Sequence, residues 1–323
     1  MFRHLLVPVD GSDASIEALG QAVEFAQSIG ARITFCPLPA GRTASCPEAE
    51  AERCTQPADG ETTWELLARA EAAARAQGVP CSLAAPGVDA APIGAAARAH
   101  GCDLICVAPR PLVPSSGISE YGTGTVAVDG GGGGIAVLTC AIDSRPAVAQ
   151  AIRILLVGQR TLAAHLHGAL RAARMARGPD LARQAEYQAT CKATTLHEIA
   201  GRLSELQKSQ HHSMTEALFA RLRAHTSAVD AELDELERQH QRAIQMFDDL
   251  ARLIARGDES AATSGMLEEG LRACAQFTWE NMGRKEGVVL PAARRYLSDK
   301  DWNVLAEEFA AWSTDKSPRS PTL

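Results

Sequence analysis

His4-Leu5-Leu6-Val7-Pro8-Val9-Asp10-Gly11-Ser12 is the stretch on which the reading of the fold turns. A short apolar run ends abruptly in Asp-Gly-Ser, the mark of a buried strand closed by a turn. Ser12 or Asp13 can then cap a helix over Ala14–Ile29, and Gly30 can stop it. The same alternation continues outward. Arg32–Cys36 reads as a strand, Glu61–Gln77 as a helix, Cys81–Ala84 as a strand and Pro92–His100 as a helix. Asp103–Ala108 and Ile135–Thr139 read as the last strands. The stretch from Pro37 to Gly60 has no clear period and reads as a loop. Strands alternating with helices imply a parallel sheet with right-handed crossovers.

Near Ala141–Pro146 the pattern changes. From Ala147 to Trp312 the apolar spacing follows the helical period. The expected helices span 147–177, 180–208, 210–255 with a break near His225–Val229, 260–297 and 299–313. Long helices with short joints suggest an all-α up-down four-helix bundle. A chain of 323 residues suits two domains. We therefore expect an α/β domain over 1–141, a bundle over 147–313 and a disordered polar tail over 314–323.

Composition excludes several function classes. The net charge is −7, and there is no Lys/Arg block or basic stripe interleaved with aromatics, which argues against nucleic-acid binding. No apolar run reaches the roughly 18 residues of a spanning helix, so no membrane partner is expected. The start lacks a signal-peptide pattern. Nine cysteines without a C-x-x-C pair read as reduced thiols in a cytoplasm, not as a zinc site or a disulfide framework. G-x-S-x-G, H-E-x-x-H and a complete P-loop are absent, so an enzyme assignment has no positive support.

In open α/β sheets, ligands sit beyond the C-terminal strand ends. Asp10 stands there after the first strand, and Ala108 after Asp103–Val107. Gly122-Thr123-Gly124-Thr125 offers small residues and free N–H groups for a phosphate. Leu6-Val7-Pro8-Val9-Asp10-Gly11-Ser12 resembles the first strand and turn of universal stress proteins. Gly87-Val88-Asp89 with Ile93–Ala96, and Cys102–Val107, resemble that family's second half. The resemblance implies a Rossmann-like domain, ATP or another nucleotide as ligand, and a homodimer through the last strand, Ile135–Leu138. It places the nucleotide at Pro8, Val9, Asp10, Val107, Ala108, Gly122 and Thr123. ATP-binding members carry G-x-x-G after this fourth strand, where this chain has Ala108 and Pro111, a residue with no N–H. The competing reading is that Asp10 caps a turn and the glycines fill a loop.

The second half resembles hemerythrin-like (HHE) bundles. The match is carried by Ile152–His167, Gln210–Phe219, Leu233–His240 and Trp279–Pro291 with Leu297–Trp302. The family implies iron held by inward-facing His and Glu from several helices. Aligned position by position, Gln159, Gln210, Met214, Ile244, Asn281 and Lys285 stand where ligands are expected. His211, His212, Glu216, His240 and Glu286 remain as candidate metal ligands, with His212 and Glu216 one turn apart. Lys285 is expected to pair with Glu216 or Glu280 in the vacated interior. The resulting expectation is a non-enzymatic stress-response or regulatory protein with a protein partner. The alternatives are an iron-based oxygen, redox or nitric-oxide sensor, and an ATP-binding universal stress protein.

Overall fold

The computed structural model describes residues 2–38, 60–84, 93–108, 125–126, 135–141, 143–177, 211–255 and 261–314. Its chain divides into two units, Met1–Asp143 with Glu280–Pro291, and Ser144–Trp279 with Ala292–Leu323.

The first unit runs β1 (His4–Val9), α1 (Asp13–Ile29), β2 (Arg32–Pro37), α2 (Gly60–Ala76), β3 (Cys81–Leu83), α3 (Ile93–Ala99), β4 (Leu104–Val107), β5 (Thr125–Val126) and β6 (Ile135–Thr139). The sheet order is β3-β2-β1-β4-β6-β5. β1, β2, β3, β4 and β6 are parallel, and β5 joins β6 antiparallel. β1 is apolar on both faces because it is central. Leu5, Val7 and Val9 pack with α1 and α2, and Leu6 packs with Ala96 and Ala97 of α3 on the other side. The caps of α1 form as the sequence indicates. Ser12 Oγ accepts from Ser15 N at 3.1 Å, and Gly30 turns left-handed at φ 65°. β5 is the element that sequence reading lacked; it covers the outer side of β6 at Ile135 and Ala136, part of the expected dimer edge. The glycine run Gly130–Gly134 and most of the expected loop before Gly60 lie outside the described residues.

The second unit is helical, as the bundle reading requires: α4 (Pro146–Arg177), α5 (His211–His225), α6 (Asp230–Ala255), most of α7 (Ala261–Arg284), α8 (Leu290–Tyr296) and α9 (Asp299–Thr314). The expected helix over 180–208 and the tail after Thr314 lie outside the described residues. The break near His225–Val229 is real. Thr226 Oγ1 accepts from Ala228 N at 3.1 Å, and Asp230 and Glu232 then enter the first turn of α6, where the helix dipole favours acids. α9 packs along α4, and both touch α5. Their shared apolar side buries Leu156, Leu166, Leu170, Leu222, Trp302 and Phe309 almost completely. Arg221 reaches Glu308 at 3.0 Å, and Arg223 reaches Asp234 and Glu237 at 2.6 Å each.

The sequence reads 260–297 as one uninterrupted helix. The chain instead widens into a π-helical turn at Lys285–Val289, where Leu290 N bonds back to Lys285 O. Pro291 is the physical cause. It has no N–H for the carbonyl of Gly287 and its ring crowds that carbonyl. The Gly287 oxygen takes its donor elsewhere, from Gln77 Nε2 at 3.1 Å.

Candidate functional site

The first candidate lies where the strand order reverses. β2 and β3 continue from one side of β1, and β4 and β6 from the other. The register Leu5–Leu104 and Leu6–Ile105 brings the C-terminal ends of β1 and β4 side by side. Pro8, Val9, Val107 and Ala108 stand at these ends, whereas Gly122 and Thr123 lie outside the described residues. Such a reversal is the usual ligand crevice of this architecture. Asp10 is half-buried and already engaged. Its Oδ1 accepts from Ser12 N at 2.9 Å, and its own N–H donates to Ser15 Oγ at 3.2 Å. The turn needs a glycine next to it. Gly11 has φ 77°, and a Cβ there would lie 2.9 Å from Leu66 Cδ2 of α2.

Three buried thiols of this unit are poor nucleophiles. Burial pushes Cys102 and Cys140 up to about 11 and Cys106 higher still, so each is a neutral thiol at physiological pH. Cys274 of the helical unit is likewise pushed up to about 11 by burial.

The second set of candidates falls on several elements. His211 and His212 open α5. Glu216, one turn on, is solvent-exposed, and His240 is half-buried on α6. Glu286 is only 2% exposed and belongs to the first unit, where Arg69 binds both of its oxygens, through Nε at 3.2 Å and through Nη2. Among the described residues, no group of three or more His, Cys, Asp or Glu side chains comes together in a cation-binding arrangement. Gln159 is fully buried, and neither its Oε1 nor its Nε2 has a hydrogen-bond partner among the described residues. Met214 is buried, and Ile244 and Asn281 are half-buried.

Sequence reasoning missed a buried charge network in the first unit. Arg69 of α2 lies between Glu65, one helical turn back at 2.7 Å, and Glu286. Burial works against the guanidinium charge, but Glu286 and then Glu65 outweigh it and hold Arg69 protonated. Lys285, beside Glu286 in sequence, is also buried. Burial lowers it to about 7, with Glu286 pulling the other way. Glu286 thus favours the charged form of its sequence neighbour, and Glu280 lies 4.0 Å from Arg284. The Glu65/Arg69 spacing was visible in the sequence as a helical ion pair; its third member was not. In the second unit, the His167 ring meets Trp279 edge-on at 5.6 Å.

Residues 1–129 match the model of the Universal stress protein family, and residues 159–293 match the Hemerythrin HHE cation binding domain. A crystal structure of a protein from the universal stress protein family from Burkholderia pseudomallei is similar at 26% identity. It covers 33% of this chain and 81% of its own, with a TM-score of 0.26. No curated protein matches the chain.

Proposed function

For a chain that joins a universal-stress-protein domain to a hemerythrin HHE domain, we propose a non-enzymatic stress-response or regulatory role in which the helical half works as a structural or interaction module and not as a di-iron centre. The observation that carries this reading is the state of the fourth-helix stretch. Its Lys285 is a buried amine, and its Glu286 is committed to Arg69. A carboxylate bound on both oxygens by a guanidinium is not free to ligate a metal ion, and a buried lysine amine is not one of the imidazole or carboxylate ligands such a centre uses. Gln159 adds a neutral amide where the first helix should offer an imidazole. These residues do not suit a di-iron site. Metal analysis of the full chain, purified anaerobically with ferrous iron, tests the reading. We expect well under one iron per chain. Near-stoichiometric iron that disappears in His240→Ala would overturn the proposal.

A second reading is supported by the crevice at the ends of β1 and β4: the first domain binds a nucleotide there, with backbone groups of Val9 and Val107 at its edge. A ligand that binds only the folded state must raise apparent stability. Melting with millimolar Mg-ATP should therefore rise by several degrees, and an unchanged melting temperature rejects this reading. A homodimer through the same domain completes the proposal. Light scattering should give twice the mass of one chain, and a monomer at all concentrations would remove it.

A further inference from the structure

Glu280–Pro291 belongs to the α/β unit, although Ser144–Trp279 intervene in the chain. Three independent features fit it to the groove between α1 and α2. The first is steric. A Cβ on Gly283 would lie 2.1 Å from Arg69 O, and one on Gly287 would lie 2.4 Å from Ala73 Cβ. On the other wall, a Cβ on Gly20 of α1 would meet Glu286 O at 3.0 Å and Pro291 Cγ at 3.0 Å. Two glycines four apart on one helix face thus lie against small residues and backbone, an approach no larger side chain permits. The second is electrostatic. Arg69 binds Glu286 through two nitrogens and Glu65 through a third, and all three side chains are almost fully buried. The third is a side-chain hydrogen bond to the backbone, in which Gln77 Nε2 donates to the Gly287 carbonyl that Pro291 cannot serve.

We propose that Glu280–Pro291 is a charge-locked strap of the α/β domain, with Arg69 as the receptor for the Glu286 carboxylate. The stretch that resembles the end of a hemerythrin-like fourth helix has on this reading become a docking element. Packing alone needs only the glycines. A lock also needs the charge, because an Arg buried between two carboxylates gains from the second only when that carboxylate is docked.

Hydrogen exchange on the full chain tests the strap directly. In Glu286→Gln, which keeps the shape and removes the charge, amides of 280–291 should exchange on the order of a hundredfold faster. Peptides from β4, β6, α4 and α9 should exchange as before. The swapped pair Arg69→Glu with Glu286→Arg should regain at least part of the protection. Wild-type protection of 280–291 in Glu286→Gln would overturn the proposal, and so would equal acceleration in every peptide of the chain. If Glu286→Gln does not fold, Gln77→Ala removes one strap hydrogen bond only. Acceleration confined to 280–291 then supports the strap, and its absence overturns it.

Discussion

Replacing Lys285 by Met should stabilise this protein at neutral and acidic pH, with a pH dependence that identifies the cause. Burial lowers the Lys285 amine from an ordinary 10.5 to about 7, and Glu286 offsets only part of that. Below about pH 7 both the folded and the unfolded chain carry the proton, so the folded state bears the full penalty. Between about 7 and 10.5 the folded amine is neutral while the unfolded one still binds a proton, so stability climbs with pH across that window. At about 1.4 kcal/mol per pH unit, the gap between 10.5 and about 7 corresponds to at most about 5 kcal/mol. Met matches the length and flexibility of Lys without its charge. Lys285→Met should therefore exceed wild type by a few kcal/mol at pH 6, and the advantage should shrink steadily toward pH 10. The buried thiols titrate in the upper part of this window with the opposite sign. Their raised values make stability fall as pH rises past 9, but they are common to both proteins and cancel in the difference. Urea unfolding followed by far-ultraviolet circular dichroism at pH 6, 7, 8 and 9 provides that difference. A constant offset across pH, or a variant weaker than wild type at pH 6, would refute the reasoning.

Three further outcomes follow from single contacts. Gln159→Leu removes a fully buried amide with no partner among the described residues and should stabilise by about 1–3 kcal/mol; a lower melting temperature would show that the amide is satisfied. Gly11→Ala forces a Cβ onto φ 77° and against Leu66, and should cost about 1–3 kcal/mol in chemical denaturation; Leu66→Ala should relieve the clash but not the backbone strain. Ser298→Ala removes the oxygen that accepts from Asp301 N at 3.3 Å while Asp301 Oδ2 accepts from Ser298 N at 3.0 Å. That loss of the α9 cap should cost about 1 kcal/mol, and thermal melts unchanged within error would remove the cap from the account.

The α/β half was legible because its signals are local. The turn after Val9 holds its glycine for backbone reasons, and α1 begins and ends at residues that cap helices by their own chemistry. β1 reads as central because it is apolar at every position but one, and the structure buries it on both faces. The joint between α5 and α6 was equally plain, since Thr226 accepts from a backbone N–H there and Asp230 places an acid in the first turn of the next helix. β5 was not legible. Two residues paired to β6 have no period, and their strand character comes from the partner that accepts them.

The candidate site was legible as a set of residue types and not as a set of neighbours. The hemerythrin-like resemblance makes Glu286 an inward-facing residue of a helix; it does not say which interior the helix faces. Reading the stretch as bundle made Glu286 a metal ligand, whereas the structure gives its two oxygens to Arg69. The clue lay in residues that a ligand search passes over. Gly283, Gly287 and Pro291 recur every four positions, a stripe of two bare glycines and a compact ring that offers a bundle core little but is well suited to lie against another backbone. Proline then converts that stripe into a π turn, and the turn frees a carbonyl that Gln77 takes up. Each step is ordinary chemistry, yet the choice of partner depends on Arg69 and Gln77, more than two hundred residues away in sequence. That distance is why the segment's role is visible only in the folded chain, and why Glu286→Gln is the variant that separates a lock from a packed helix end.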